Sequence, residues 1–448
     1  MLTNTEFSSR RQQLAQGMLP NSICLIPAAQ LVTRSRDTEY AFRQDSYFHY
    51  LCGFPEPQAW LVLSNQNRAK NPKTVKSLSI LFCLDKDEQA EIWQGRRFGP
   101  RQAKKHFELD KAFSLDELDE HLLELLDGHD NLYFAQGHNT EADELVFALL
   151  QALREAPKQS MQAPANLVDV RPLLDEMRLF KSPAEIAIMR EAAQISGKAH
   201  IRAMESAKAG LNEYHLEAHI HHEFAMHGAK NPAYGTIVGS GVNACILHYT
   251  QNNQTLNAGD LVLIDAGCEL QGYAADITRT FPVSGQFSAA QKQLYQLVLD
   301  AQSAALVQVK PGSTFKQIGD AAIKVITQGL IDLGLLSGSL AFNLDKQLYR
   351  DFFMHGIGHW LGLDVHDVGH YKIAGQDRSL QAGMVLTIEP GIYVAPDADV
   401  DDCWLGIGIR IEDNVLLTDD GFENLTQATP KTIVDIESLM AHQQNGKS

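Results

Sequence analysis

Between Asp260 and Phe281 the chain sets two apolar runs around a polar, glycine-containing turn, with Asp265 in the first run and Asp276 in the second. That is the pattern of a β-hairpin. If the turn centres on Leu270 and Gln271, Asp265 stands directly opposite Asp276, with Cβ atoms about 5 Å apart. Two like charges facing each other on a buried ladder destabilise it unless a cation lies between them. The alternatives are a solvated aspartate or a different register.

A second cluster runs from His355 to His370 and carries His355, His359, His366 and His370 among several glycines. The pair His355 and His359 has the i, i+4 spacing of the zinc-protease helix motif HExxH. That motif needs glutamate after the first histidine, where this chain has Gly356, and Gly358 is a second helix breaker. A glycine-rich, irregular segment with several imidazoles is better suited to hold one ligand and present the others to a substrate. For any one of these histidines alone, a hydrogen-bonded core or loop role is the plainer reading.

Two more segments, Met384 to Tyr393 and Gly408 to Asp413, read as short apolar strands that carry Glu389 and Glu412 among aliphatic residues. A buried glutamate must be paired, bind a metal or take up a proton. Four carboxylates and one imidazole thus converge in the second half of the chain. Oxygen-rich ligation with a single nitrogen and no thiolate favours hard or borderline divalent ions such as Mn²⁺ over a structural zinc. Four carboxylate charges balance two such ions. Two metals roughly 3.5–4 Å apart can bridge a water, lower its pKa and stabilise the oxyanion formed when it attacks a carbonyl. This is hydrolytic chemistry.

The elements that must position these residues fall into two parts, 1–175 and 176–448. The first is expected to be an α/β domain, with strand-like runs at Ser22 to Ile26, Trp60 to Leu63, Leu78 to Leu84 and Asn131 to Ala135 between charged, helical stretches. Ser182, Pro183 and Glu185 form a helix start, so a long helix is predicted from there. Helical spacing up to Ala209, then from Glu213 to His227, returns about a hundred residues later as Gln291 to Val309 and Phe315 to Gly329. Strand-rich sequence follows each pair. An internal duplication is implied, with a shared site at the junction of two similar halves.

The chain has 448 residues, 44% hydrophobic and 21% charged, which suits a globular protein of two or three domains rather than a disordered or repetitive one. No run of about 18 apolar residues occurs, and the polar N-terminus lacks a signal-peptide pattern, so the expected location is the cytoplasm. A formal charge of −17 argues against nucleic acid and anionic membranes as partners. The six cysteines show no paired spacing and are expected to be buried small hydrophobes in a reducing compartment.

From Lys181 to Thr426 these motifs closely resemble the pita-bread metallopeptidases, the fold shared by methionine aminopeptidase, prolidase and aminopeptidase P. The resemblance implies a pita-bread catalytic domain with two pseudo-symmetric helix-helix-sheet halves behind the N-terminal α/β domain. It implies Asp265, Asp276, His359, Glu389 and Glu412 as ligands of two metals, most simply Mn²⁺, with Asp276 and Glu412 bridging. Glu389 would also shuttle the proton from the bridging water to the leaving amine, and His248, His355 and His366 would contact substrate and the tetrahedral intermediate. Tyr393 and Arg410 lie beside ligands and are candidate pocket residues, although packing and strand charge would explain them equally. The large leading domain resembles the aminopeptidase P, prolidase and creatinase branch, carried by Arg34 to Phe54 and by Glu91 to Arg97.

That branch implies an Xaa-Pro aminopeptidase acting on peptides with proline second. It also implies a tetramer, a dimer of dimers, in which Asp37 and Trp93 help to wall a neighbour's site. Prolidase, restricted to Xaa-Pro dipeptides, is the nearest rival. A metal-free creatinase-like amidinohydrolase and an inactive peptide-binding module are more distant ones, since such relatives lose ligands that this chain keeps.

Overall fold

The computed structural model describes residues 2–65, 77–156 and 160–445. Two units divide the chain, Met1–Met177 and Arg178–Ser448.

In the first unit a mixed sheet has the strand order Lys111–Ser114, Leu78–Cys83, Trp60–Ser64, Ser22–Pro27, Asn131–Phe134 and Asn166–Val168. Ile23, Leu25, Val62 and Phe82 of the sheet pack against Leu122 and Val146 from the helices Leu118–Leu126 and Thr140–Glu155. The outermost strands escape the sequence reading because they are short, polar and partly exposed. Asp37 sits exposed in the turn between Thr33–Ser35 and Thr38–Glu39, and Trp93 is 88% exposed on the helix Glu88–Gln94.

In the second unit Ser182 and Glu185 form a reciprocal capping box at the start of α1 (Pro183–Ser206), which packs on α2 (Glu213–Met226). An antiparallel sheet follows: β1 (Ile237–Ser240), β2 (Leu261–Asp265) and β3 (Thr278–Pro282), in that order. The phrase then repeats. Capping boxes from Ser288 with Gln291 and Thr314 with Gln317 open α3 (Ala289–Val307) and α4 (Phe315–Asp332). Behind them come β4 (Val385–Ile388), β5 (Gly391–Tyr393), β6 (Gly408–Arg410), β7 (Asp413–Leu417) and β8 (Phe422–Asn424). In this half β4, β7 and β8 form the three-stranded antiparallel sheet.

Three expectations need correction. The hairpin turns at Gln271 and Gly272, both at positive φ (53° and 88°), and Asp265 therefore faces Thr278 instead of Asp276. A tight turn with two left-handed residues tolerates Gln-Gly far better than Leu-Gln, because only glycine takes that conformation without a Cβ penalty. The shift moves the pairing by two positions, so both aspartates keep the face they would have had. Glu389 and Glu412 are also not within strands. Residues Ile388 and Asp413 pair in one ladder, Gly391 and Arg410 in the next, and the two glutamates stand opposite each other in the gap. Finally, the cysteines are not uniformly buried: Cys403 is exposed and Cys245 half-buried.

Among the described residues no helix is long and apolar enough to cross a membrane. The segment carrying His366 is tied down by a buried ionic cluster. Arg178 donates to Asp364 and Asp367, each at 2.7 Å, and Lys181 donates to Asp367 at 2.9 Å. Arg178, Lys181 and Asp367 are almost wholly buried. Burial alone would raise the Asp367 carboxyl, but the two cations hold it below the usual aspartate range. Asp367→Asn leaves both cations short of their partner, and chemical denaturation should show a loss of about 3–5 kcal/mol. In the parent protein this contribution is full above about pH 4 and disappears as acid protonates the folded carboxylate.

Candidate active site

In the second unit a cavity of about 450 Å³ gathers Asp265, Asp276, His359, Glu389, Arg410 and Glu412 in its wall. Asp265 ends β2 and Asp276 lies just ahead of β3, while the two glutamates come from the gap between ladders. His359 arrives by a different route. The glycine-rich segment runs alongside β4, with Thr387 N–H donating to His359 O and Glu389 N–H donating to Ile357 O. A side chain on Gly358 would place its Cβ 1.9 Å from Thr387 O, so only glycine lets the segment lie that close. This contact sets His359 beside Glu389.

Asp276, His359 and Glu412 each offer one ligand atom within 4.8 Å of the others. His359 donates its Nδ1–H to Trp360 O at 2.9 Å, leaving Nε2 toward Asp276 at 3.3 Å and Glu389 at 3.5 Å. Metal-binding histidines are oriented in this way, by a backbone acceptor on the far nitrogen. Glu412 is 1% exposed, and its Oε1 has no hydrogen-bond partner among the described residues. An orphaned carboxylate oxygen amid other acids fits a cation better than any arrangement of protein donors.

The electrostatics say the same. Burial first, then the charges of Asp276 and Glu389, push the Glu412 carboxyl far up. Burial and the Asp265 charge raise Asp276, and burial lifts Glu389 to about 7. Burial would lower His359, yet its hydrogen bond to Asp276 and that carboxylate's charge carry it up to about 9. Asp265 differs. Burial opposes its charge, but Arg410 at 2.7 Å and the hydroxyl of Tyr234 hold it below the ordinary aspartate range. Without metal, the site stores protons where it would otherwise store positive charge.

Arg410 also links outward. It donates to Asp265 and, at 2.9 Å, to the Tyr393 hydroxyl, which lies 2.8 Å from His355 Nε2. His355 Nδ1–H donates to Gly356 O, so Nε2 of the neutral ring accepts the tyrosine proton. Burial and Arg410 lower this imidazole to about 4, in keeping with the neutral form. Both nitrogens of His355 are therefore engaged, and Tyr393 lies behind the cavity wall rather than in it. His248 and His366 line the cavity and make no hydrogen bond among the described residues, so their nitrogens are available to a substrate. Asp37 and Trp93 belong to the other unit.

Three site residues were not legible in the sequence. Tyr234 places its hydroxyl 2.6 Å from Asp265 and 2.5 Å from Asp276, and burial with those two charges keeps it protonated. It sits in an irregular loop with no spacing to announce it. Thr278 donates to Glu412 at 2.7 Å and accepts from Arg410 Nε at 3.0 Å. Its position two residues beyond Asp276, on the same face, was the available signal. Thr387 donates to Glu389 and accepts the His359 N–H, each at 3.1 Å.

Comparison with known proteins identifies the family. The profile of metallopeptidase family M24 matches residues 187–419, and that of the aminopeptidase P N-terminal domain matches residues 7–133. The chain belongs to metallopeptidase family M24. It is 49% identical to the Xaa-Pro aminopeptidase of Escherichia coli (strain K12) over 98% of both chains, and 46% identical to that of Haemophilus influenzae over the same shares. Zinc-substituted E. coli aminopeptidase P in complex with product superposes with a TM-score of 0.96 at 48% identity, covering 99% of each chain. The fold is thus an aminopeptidase P N-terminal domain followed by a pita-bread domain.

In chelated protein the folded Glu412 must take up a proton that the unfolded chain does not hold at pH 7, whereas glutamine is already neutral. E412Q freed of metal should therefore be more stable than chelated parent at pH 7, by roughly 1–3 kcal/mol, and melt at a higher temperature. The advantage should shrink toward pH 4, because there the unfolded chain's glutamate is protonated as well and folding no longer has to bind a proton. Equal melting temperatures at pH 7 would contradict the charge crowding.

Proposed function

We propose that this protein hydrolyses the bond between an N-terminal residue and a proline in second position, releasing the first residue from peptides. It is a metal-dependent hydrolase of the Xaa-Pro aminopeptidase type, and the names of its relatives favour that activity over prolidase. The observation that carries the reading is the meeting of Asp276, His359 and Glu412, with Asp265 and Glu389 in the same wall.

Those five residues would hold two divalent ions. The donor set, rich in carboxylate oxygen with one imidazole and no thiolate, suits Mn²⁺. When bound, the ions supply an activated water and positive charge for the oxyanion of the attacked carbonyl. Every remaining task falls to the chain. Glu389, in the cavity wall beside His359, would take a proton from the activated water and pass it to the leaving nitrogen. Proline's nitrogen is tertiary in the peptide and has no N–H, and like any amine leaving group it must be protonated as the bond breaks. His248 and His366, with free ring nitrogens, would contact the scissile carbonyl and its tetrahedral form. His355, held neutral through Tyr393 and Arg410, would shape the wall beside them, and Arg410 fixes Asp265.

The first unit supports a role at subunit contacts. Trp93 and its neighbour Ile92 are 88% and 79% exposed, and such apolar exposure suits a covered surface. We place Asp37 and Trp93 at the walls of a neighbouring site in a tetramer, a dimer of dimers. A formal charge of −17 and six cysteines without paired spacing suit a cytoplasmic enzyme that binds neither nucleic acid nor anionic membrane.

Chelated enzyme given Ala-Pro and Ala-Pro-Ala, with and without Mn²⁺, tests the activity directly. Mn²⁺-dependent release of alanine from the tripeptide is expected; cleavage of the dipeptide alone would reassign the chain to prolidase. Glu389→Gln should retain metal, if more weakly, and lose most of kcat. His359→Ala should empty at least one metal position, read by elemental analysis of the purified protein.

A further inference from the structure

His248 has no hydrogen bond of its own among the described residues and sits on the irregular loop that joins β1 to β2, so something else must hold it. The neighbouring residue supplies the connection. Tyr249 is 6% exposed, and its hydroxyl donates to Glu213 Oε2 at 2.9 Å. Glu213 opens α2, is fully buried, and has no ion pair among the described residues.

Its carboxylate instead accepts five hydrogen bonds, two from Ser240 at the end of β1 and three from the loop. Oε1 takes Ser240 N–H at 2.7 Å, Ser240 Oγ–H at 2.8 Å and Asn243 Nδ2–H at 3.2 Å. Oε2 takes Tyr249 and, at 2.9 Å, Gln254 N–H. The Glu213 N–H in turn donates to Gln254 O at 2.9 Å. The chain is therefore held by one side chain where it leaves β1, at Asn243, at Tyr249 beside His248 and at Gln254. Each partner presents a hydrogen to an acceptor-only group, a set that a glutamine cannot satisfy. A buried carboxylate satisfied by donors alone is costly unless every one of those bonds is made.

We infer that Glu213 is a positioning residue for catalysis: it fixes, through Tyr249, where the His248 imidazole meets the substrate. The inference rests on the proposed role of His248 at the scissile carbonyl. Glu213 touches neither substrate nor the carboxylate cluster, so its effect must pass through the loop.

A double-mutant cycle with Ala-Pro-Ala as substrate and saturating Mn²⁺ decides the matter. Glu213→Gln should lower kcat/KM about tenfold to a hundredfold, the size of a lost charge-assisted hydrogen bond. In a His248→Ala background the same change should cost less than about twofold, because the group it positions is gone. Metal content should match the parent in all variants. Tyr249→Phe removes one of the five bonds to the carboxylate, along with the hydroxyl's 3.3 Å contact to Asn253 Oδ1, and should show the same non-additivity with a smaller loss, which keeps the test in force if E213Q does not fold. Additive losses, or loss of metal in E213Q, would overturn the inference. Full activity of His248→Ala would instead overturn the role of His248 and leave the two failures distinguishable.

Discussion

Crowding of like charge is the constraint from which the rest of the second unit follows. Asp265, Asp276, Glu389 and Glu412 line one cavity, and three of them carry carboxyl groups pushed upward by burial and by one another. No protein would maintain this for stability, since a buried uncompensated charge costs several kcal/mol. The arrangement makes sense once divalent ions are the missing partners. One of the four is handled separately: Asp265 is kept charged by Arg410, so the acids are unequal before any metal enters.

Holding such a site open requires a frame that repulsion cannot loosen. Paired charges placed just outside it provide one. Behind Glu412, Arg279 and Asp413 meet at 2.7 Å with both side chains fully buried, and Arg279 also donates to the Glu412 carbonyl. Behind His366, Arg178 and Lys181 clamp Asp367. Both pairs have their cations matched by carboxylates, and both carboxylates are shifted downward, opposite to those in the cavity. The unit thus separates its acids into two populations. Matched ones brace the backbone, and unmatched ones face the cavity.

The imidazoles divide in a similar way. His359 has its far nitrogen committed to a carbonyl, His355 has both nitrogens committed, and His248 and His366 have neither. Rings with free nitrogens need their backbone held from elsewhere, by the Asp367 cluster for His366 and by Glu213 for the loop of His248. Precision at the cavity is thereby supplied by residues that never reach it.

Sequence alone determined much of this because residue type and spacing are one-dimensional records of local physics. Capping residues announced the long helices, apolar runs the strands, and an acid amid aliphatics each candidate ligand, since a carboxylate there must be paired, bind a metal or take up a proton. The repeated helix pairs announced two halves. Tertiary structure decided what spacing does not encode. The turn at Gln271 and Gly272 moved Asp265 opposite Thr278, and the break between two ladders, not a strand, put Glu389 against Glu412. Tyr234, Thr387 and Glu213 entered the argument only when distant segments met. Hydrogen-bond partners far apart in the chain leave no periodic trace, so folding alone brings them to light.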